Sequence, residues 1–468
     1  MQETWATSAS LDLYLDLPTT RPKAALETAL REAVRSGRLA PGTKMPSSRA
    51  LAQDLGVARN TVADAYGQLV AEGWFAAKHG SGTWVAERAQ LAQQAREVQS
   101  SPAPQRTRHD LRPGVPDLSA FPRTAWIAAA RKALSVAPSR DLGYADPRGL
   151  EVLRVALAEY VGRARGVAVT PDRIVVCAGL AQGVELLCDV LRGRGADTLA
   201  VESYGHPGHR KIAAAAGLRL MPLQVDRKGA QTNALTGMNT SAVLLTPAHQ
   251  FPLGVAMSPD RRRQAADWAT KTGGIVIEDD YDGEFRYDRQ AIGALQSLAP
   301  DHVVYGGTAS KSLVPGLRLG WLALAAGLAG EVAAVKRETT RLNSSIDQLA
   351  LAEFLTSGGY DRQVRRARLA YRQRRDRLVA ALAREVPEVR VSGIAAGLHA
   401  VVELPDGVSE KDVIDRAAAN GLALEGLASC YAGGEQLGPA LIVGYATPPG
   451  HAFSTAVARL CAVLREVV

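Results

Sequence analysis

The strongest constraint on this chain is an alternation. Strand-like runs fall near residues 173–177, 197–202, 241–246, 274–279, 302–306 and 318–325, with helical stretches between them, in the span from Leu111 to about residue 335. Several runs, such as Ile174-Val175-Val176-Cys177 and Ile275-Val276-Ile277, are continuously apolar. A strand buried on both faces and followed by a helix predicts a mainly parallel sheet covered by helices, an α/β body. Such sheets offer ligand contacts at the carboxyl ends of their strands, so the residues just past each run are where chemistry is sought.

Past the run at 302–306 comes Gly306-Gly307-Thr308-Ala309-Ser310-Lys311-Ser312-Leu313, then Pro315-Gly316-Leu317-Arg318. A lysine beside small hydroxyl residues, with an arginine behind a Pro-Gly turn, suits pyridoxal 5'-phosphate (PLP). The Lys311 amine can form a Schiff base with the PLP aldehyde. Thr308, Ser310 and Arg318 can hydrogen-bond its phosphate, the arginine through a planar charged fork. For Lys311 alone, a surface lysine after an edge strand is the plainer reading. Two further segments shift the balance.

The run Gly274-Ile275-Val276-Ile277-Glu278-Asp279-Asp280-Tyr281-Asp282 ends in carboxylates and a tyrosine. PLP needs an acid against its pyridinium nitrogen. Asp279 is assigned that role, with Asp280 as fallback, and Tyr281 is expected to bond the ring hydroxyl. Asp282 reads as a solvated loop carboxylate. The third segment runs from Arg173 through Gly179-Leu180-Ala181-Gln182 into a helix. A helix start points backbone N–H groups at an anion, so Gly179, Leu180, Ala181 and Gln182 are phosphate-cradle candidates.

At 468 residues, the chain exceeds one ordinary core, and two or three domains are expected. No apolar run has the length of a membrane span, and the first residues lack a signal-peptide pattern. Cys177, Cys188, Cys430 and Cys461 are scattered without metal-ligand spacing and fit the reduced core of a cytoplasmic protein, with no metal expected. A formal net charge of +8 permits a polyanionic partner.

Residues 15–86 have a different texture. A helix from Ala24 to Ser36 is followed by a short helix capped at Ser47, a Gly56 turn, and a further helix opening at Ala58-Arg59-Asn60-Thr61. Trp74 to Val85 then forms two strand-like pieces around a glycine-rich tip. That order is a winged helix-turn-helix. The second helix of such a motif presents its first residues to base edges in the major groove of double-stranded operator DNA. Arg59, Asn60 and Thr61 hold those places, Arg49 can reach phosphate or base, and Lys78, His79 and Gly80 sit at the wing tip. Residues 87–110, rich in Gln, Arg, Ser and Pro, read as a flexible linker. The body follows over 111–468, with a large lobe to about 335 and a smaller α+β lobe over about 340–468, which carries a long charged helix from Gln363 to Glu385.

These segments carry a resemblance. Pro41-Gly42-Thr43-Lys44-Met45-Pro46-Ser47-Ser48-Arg49 and Gly56-Val57-Ala58-Arg59-Asn60-Thr61-Val62 are similar to the GntR-type winged helix. Arg112-Pro113-Gly114, Gly143-Tyr144-Ala145-Asp146-Pro147, Thr246-Pro247-Ala248-His249-Gln250-Phe251-Pro252 and the Asp279 and Lys311 segments resemble fold-type I aminotransferases. Joined in this order, the two resemble the MocR class of PLP-dependent transcriptional regulators. The resemblance implies a homodimer, head-to-tail and domain-swapped, with one subunit's DNA head near the other's body. It places a ring-stacking aromatic at His206, with Tyr204 as the alternative. It also exposes two departures. Phe251 falls where aminotransferases have an asparagine, with His249 or Gln250 available to compensate. Ala440-Leu441-Ile442-Val443-Gly444-Tyr445-Ala446 lacks the arginine that grips a substrate α-carboxylate. The expected function is therefore PLP-dependent regulation of transcription with little or no physiological transaminase activity, the signal being PLP itself or a small amine or amino-acid effector. The alternative is an active aminotransferase with an accessory DNA-binding head.

Overall fold

Leu26, Leu30, Ala33 and Val34 lie on one side of helix α1 (Pro22–Arg35), and that side is buried. They meet buried residues of α2 (Ser48–Leu55) and α3 (Arg59–Ala71) in one small core. The Ser47 hydroxyl accepts from the Ala50 amide at 3.1 Å and fixes where α2 begins. Gly56, in the left-handed conformation, ends it. Strands β1 (Phe75–Lys78) and β2 (Gly82–Val85) pair antiparallel and send Phe75 and Val85 into the same core. Tyr66 packs edge-on against Phe75 at 5.6 Å.

This computed structural model describes residues 6–8, 11–13, 22–78, 82–87, 109–287, 292–339 and 342–468. The expected positions His79 and Gly80, and nearly all of the 87–110 stretch, lie outside the described residues. The chain divides into two compact units, residues 1–106 and 107–468. Among the described residues, no helix is long and apolar enough to cross a membrane.

The second unit is built on a seven-stranded sheet. Its strands are β3 (Ile174–Cys177), β4 (Thr198–Glu202), β5 (Arg219–Leu223), β6 (Ala242–Leu245), β7 (Ile275–Asp279), β8 (Val303–Thr308) and β9 (Gly320–Ala323). Their order across the sheet is β3-β9-β8-β7-β6-β4-β5. Pairing is parallel from β8 to β5, and β9 runs antiparallel to both of its neighbours. The mainly parallel sheet read from the sequence is therefore mixed, with one reversed strand. Every residue of β3, β4, β6, β7 and β8 is buried, as the continuous apolar runs require when helices cover both faces. Strand β5 escaped the sequence reading. It lies at the sheet edge, its residues are partly exposed, and Pro222 interrupts its pattern.

The reversal of β9 has a local use. The chain leaves β8 at Thr308 and re-enters the sheet at Gly320 on the same edge, paired back to Thr308. Both Lys311 and Arg318 are thereby held at the carboxyl ends of the parallel strands. Arg318 is the one non-glycine residue with positive φ, at 51°, among the described residues. That conformation costs an L-residue about 1–2 kcal/mol, so the surrounding structure must hold it.

The smaller lobe contains a four-stranded antiparallel sheet, made of β10 (Arg390–Ser392), β11 (Ala400–Glu403), β12 (Glu425–Gly426) and β13 (Ala440–Val443) in the order β10-β11-β13-β12. The long charged helix runs from Gly359 to Glu385 and packs with the helix Phe453–Arg465 on this lobe's core. His109–Asp110 pairs with Leu422–Ala423, and Leu111 enters that core.

Candidate functional site

A cavity of about 360 Å³ opens at the carboxyl edge of the large sheet. Gly179, Leu180, Ala181, His206, Asp279, Tyr281, Thr308, Ser310, Lys311 and Arg318 all line it. The expected residues thus come together from separate stretches of chain. Gln182 is the exception: its side-chain oxygen accepts from the Ala178 amide at 2.7 Å, which braces the turn, and it does not line the cavity. The structure adds residues that the sequence reading did not single out for the site: Gly114, His209, Leu398, His399 and Glu425. Leu398, His399 and Glu425 come from the smaller lobe, remote in sequence from every motif. His209 carried a signal, since it lies three residues after His206, the residue that caps the same helix.

The Lys311 ammonium donates to the Gly114 carbonyl at 2.5 Å. Burial pushes its pKa below the ordinary lysine value, while Asp279 and Asp282 pull the other way. A desolvated lysine gives up its proton more readily, and an amine nucleophile needs that.

Asp279 ends β7 and is buried. Its Oδ2 lies 3.5 Å from His209 Nδ1, whereas Oδ1 is buried without a hydrogen-bond partner. Burial raises this carboxyl well above its usual range, against the pull of Lys311. Such an oxygen, on a residue that lines the cavity, can accept from a donor placed there. The ring nitrogen of PLP is one, so this residue fits the group. Burial depresses His209 to about 3 and His206 to about 4. Neutral imidazole rings 4.7 Å apart and tilted by 39° therefore form that wall.

The anion end also fits. Helix α4 (Leu180–Gly193) begins at Gly179, whose φ of 83° suits glycine. A Cβ at Gly179 would meet the Arg318 guanidinium at 3.6 Å, and one at Gly320 would strike the Gly179 backbone at 2.9 Å. Bare glycines let the helix start, the arginine and the start of β9 converge. The Thr308 hydroxyl bonds the Ser310 hydroxyl at 3.0 Å and accepts from the Ser310 amide at 3.1 Å. The N–H groups of the first helical turn, two hydroxyls and a guanidinium make a phosphate-shaped donor set.

The remaining alternatives resolve by contact. Asp280 is taken up by Arg165, at 2.6 and 3.0 Å, and by the Tyr305 hydroxyl at 2.8 Å, so it holds the core together. Asp282 is not a solvated carboxylate. It is 2% exposed and sits 2.8 Å from His249 Nδ1, with Gly397 packed so close that a Cβ there would meet Asp282 Oδ2 at 2.5 Å. The Tyr204 hydroxyl accepts from the Leu437 amide at 2.8 Å and its ring faces Tyr431, so His206, not Tyr204, lines the cavity. The Gln250 amide is spent on Tyr204 and Phe251 carbonyls at 2.7 Å. Phe251 reaches the wall as an apolar face.

In the first unit, Arg59 and Asn60 are exposed at the first turn of α3, and Arg49 is exposed at the start of α2. Thr61 turns partly inward, beside Lys23 and Glu27. Lys78 is exposed at the end of β1. Arg31 and Glu72 form a bidentate pair at 2.8 and 2.9 Å that ties α1 to the end of α3.

Residues 22–85 match the family of bacterial regulatory proteins, gntR family. Residues 112–419 match aminotransferase class I and II. The chain is 34% identical over 433 residues to the HTH-type pyridoxine biosynthesis transcriptional regulator PdxR of Corynebacterium glutamicum, with 92% of each chain covered. It is 31% identical over 428 residues to the probable rhizopine catabolism regulatory protein MocR of Rhizobium meliloti, covering 87% of this chain and 86% of that one. Among solved structures, LysN, the alpha-aminoadipate aminotransferase of Thermus thermophilus, superposes with a TM-score of 0.69 at 24% identity, over 80% of this chain and 96% of its own; it was solved with N-(5'-phosphopyridoxyl)-L-leucine.

Proposed function

Because the chain belongs to the MocR class of PLP-dependent transcriptional regulators, a GntR-type winged helix joined to an aminotransferase-like body, we propose that the cavity beneath Lys311 is where it senses PLP or an amine. The observation that carries this reading is the unpartnered Asp279 oxygen facing the same cavity as a desolvated lysine. Bound PLP supplies an aldehyde that captures amines and a cationic ring that acts as electron sink. Lys311 presents the amine. Asp279 holds the ring nitrogen's proton. Gly179 to Ala181, Thr308, Ser310 and Arg318 grip the phosphate. His206 covers one ring face, and Tyr281 stands toward the ring hydroxyl.

The cations lining the cavity are Lys311 and Arg318, and Glu425 sits on the smaller-lobe wall. With Arg318 given to phosphate, no second guanidinium lines the cavity among the described residues. That favours PLP itself, or an amine without a carboxylate, as the signal. Arg59, Asn60 and Arg49 carry the DNA contacts, with Lys78 on the wing.

The working unit is a homodimer, head-to-tail in arrangement. Apolar side chains left in solvent support it: Tyr144 is 101% exposed, Val136 76%, Ile127 62% and Leu142 54%. Large apolar side chains left this exposed are of the kind that a partner surface covers.

The test is a mobility-shift titration on the promoter beside this gene, with and without PLP and a panel of primary amines. A PLP- or amine-dependent change in operator affinity, absent in Lys311→Ala, is expected. Equal affinity under all conditions would refute sensing at this site.

A further inference from the structure

Glu425 is the charged side chain of the cavity wall to which the PLP site gives no task. Asp279, Lys311 and Arg318 are assigned to the ring nitrogen, the aldehyde and the phosphate, and Glu425 lines the same cavity from the smaller lobe. It lies directly opposite Ile442 of the antiparallel strand β13, and directly opposed residues share a face of a sheet. Ile442 packs with Phe251, a wall residue, whereas Leu441 and Val443 enter the core of the lobe. The shared face is therefore the cavity face, and β13 brings only apolar side chains to it.

The Ser429 hydroxyl lies 2.9 Å from Glu425 Oε1, whereas Oε2 has no hydrogen-bond partner among the described residues. Arg112 feels the Glu425 charge but is committed to Asp110 through two bonds, at 3.0 and 2.7 Å. One guanidinium between two carboxylates leaves a net negative charge. The imidazoles of the wall do not offset it. Burial holds His206 and His209 neutral and pushes His399 down to about 4. His399 Nε2 lies 2.9 Å from the Pro252 carbonyl, which only accepts, so Nε2 carries the proton and Nδ1 keeps a lone pair. A ligand carboxylate here would face Glu425 without a counter-charge, and burying such a charge is costly. A ligand ammonium would meet a carboxylate oxygen free to accept, the stronger kind of hydrogen bond. At about 360 Å³ the cavity lies near the lower end of the roughly 300–1,000 Å³ range of small-molecule sites, so the ligand must be slim.

We propose that the amine effector is a straight-chain diamine or polyamine whose second ammonium is received by Glu425. The inference rests on the PLP site proposed above and narrows its ligand to amines with a cationic far end. Glu425 sets specificity.

The test uses the full-length PLP-loaded protein and three slim ligands of similar length that differ at the far end: putrescine, n-butylamine and γ-aminobutyrate. Dissociation constants are read from the change in the visible absorbance of bound PLP. Putrescine is expected to bind about tenfold tighter or more than n-butylamine, as one charge-assisted bond implies, with γ-aminobutyrate the weakest. Glu425→Gln should bring the ratio of putrescine to n-butylamine affinity close to unity, and Glu425→Arg should move γ-aminobutyrate ahead of putrescine. Wild-type protein that binds γ-aminobutyrate as well as putrescine would overturn the proposal. So would a putrescine preference undiminished in Glu425→Gln. Borohydride trapping and peptide mass are run first on every sample. No adduct on Lys311 in the wild type defeats the PLP site and this proposal with it. An adduct with no response to the three ligands, or with the wrong order among them, defeats only the diamine assignment. If the Glu425 variants do not fold, the wild-type order alone decides: putrescine first supports the proposal, any other order overturns it.

Discussion

Three carboxylates within four residues do three different jobs. Asp279 faces the cavity with one oxygen unpartnered, Asp280 is bound to Arg165 and Tyr305, and Asp282 is bound to His249. Local pattern places all three at a strand end and cannot divide them, since the dividing partners come from remote stretches of chain. For the same reason Asp282 reads as solvated from the sequence and is buried in the fold. Two predictions belong at this scale. Lys311→Ala should abolish the borohydride-trapped PLP adduct, checked by mass spectrometry of the digested protein; an adduct on another lysine would contradict the assignment. Asp280→Ala strands the buried Arg165 charge and should destabilise the body by about 3–5 kcal/mol in denaturant unfolding. Asp282→Asn keeps the shape of its site and should cost less.

At the scale of elements, the strands with all residues buried were legible because both faces are covered and the code is simply apolar. The edge strand β5 was not, because half its pattern is written for water. Cavity residues on helix and strand ends were legible wherever a motif is local, as with Thr308, Ser310, Lys311 and Arg318. His399 and Glu425 belong to the smaller lobe, and only tertiary folding brings them to the wall. In the DNA head, the order of helix, turn and helix was readable through Ser47 and Gly56. Arg59 opens α3 with its side chain in solvent and lies outside the buried core of the head, so its removal should act on binding rather than folding. Arg59→Ala is expected to cost about 1–3 kcal/mol in operator affinity and to relax specificity at one base position. Footprint titrations against single-base operator variants check both. Ser47→Ala should instead lower the melting stability of the head, by about 0.5–2 kcal/mol, through the lost cap of α2.

At the scale of the whole molecule, the GntR-type winged helix and the aminotransferase-like body occupy separate units of one chain. PLP can change DNA affinity only by the difference in its binding to two states of the protein. Operator DNA must then change PLP affinity by the same factor, with a coupling on the order of 1–3 kcal/mol. Titrating PLP into cofactor-free protein with and without operator DNA measures it, and identical dissociation constants would leave PLP a structural cofactor. The reversed strand β9 carries a consequence of another kind, for the timing of assembly. Lys311, Thr308 and Arg318 lie close along the chain, but Gly179 meets Arg318 only after β9 has lodged between β3 and β8. Closing that gap spans most of the large sheet, and contacts of long sequence separation form late. The proposed phosphate grip is therefore expected among the last features to appear as a nascent chain matures, and cofactor held by it would mark a closed sheet.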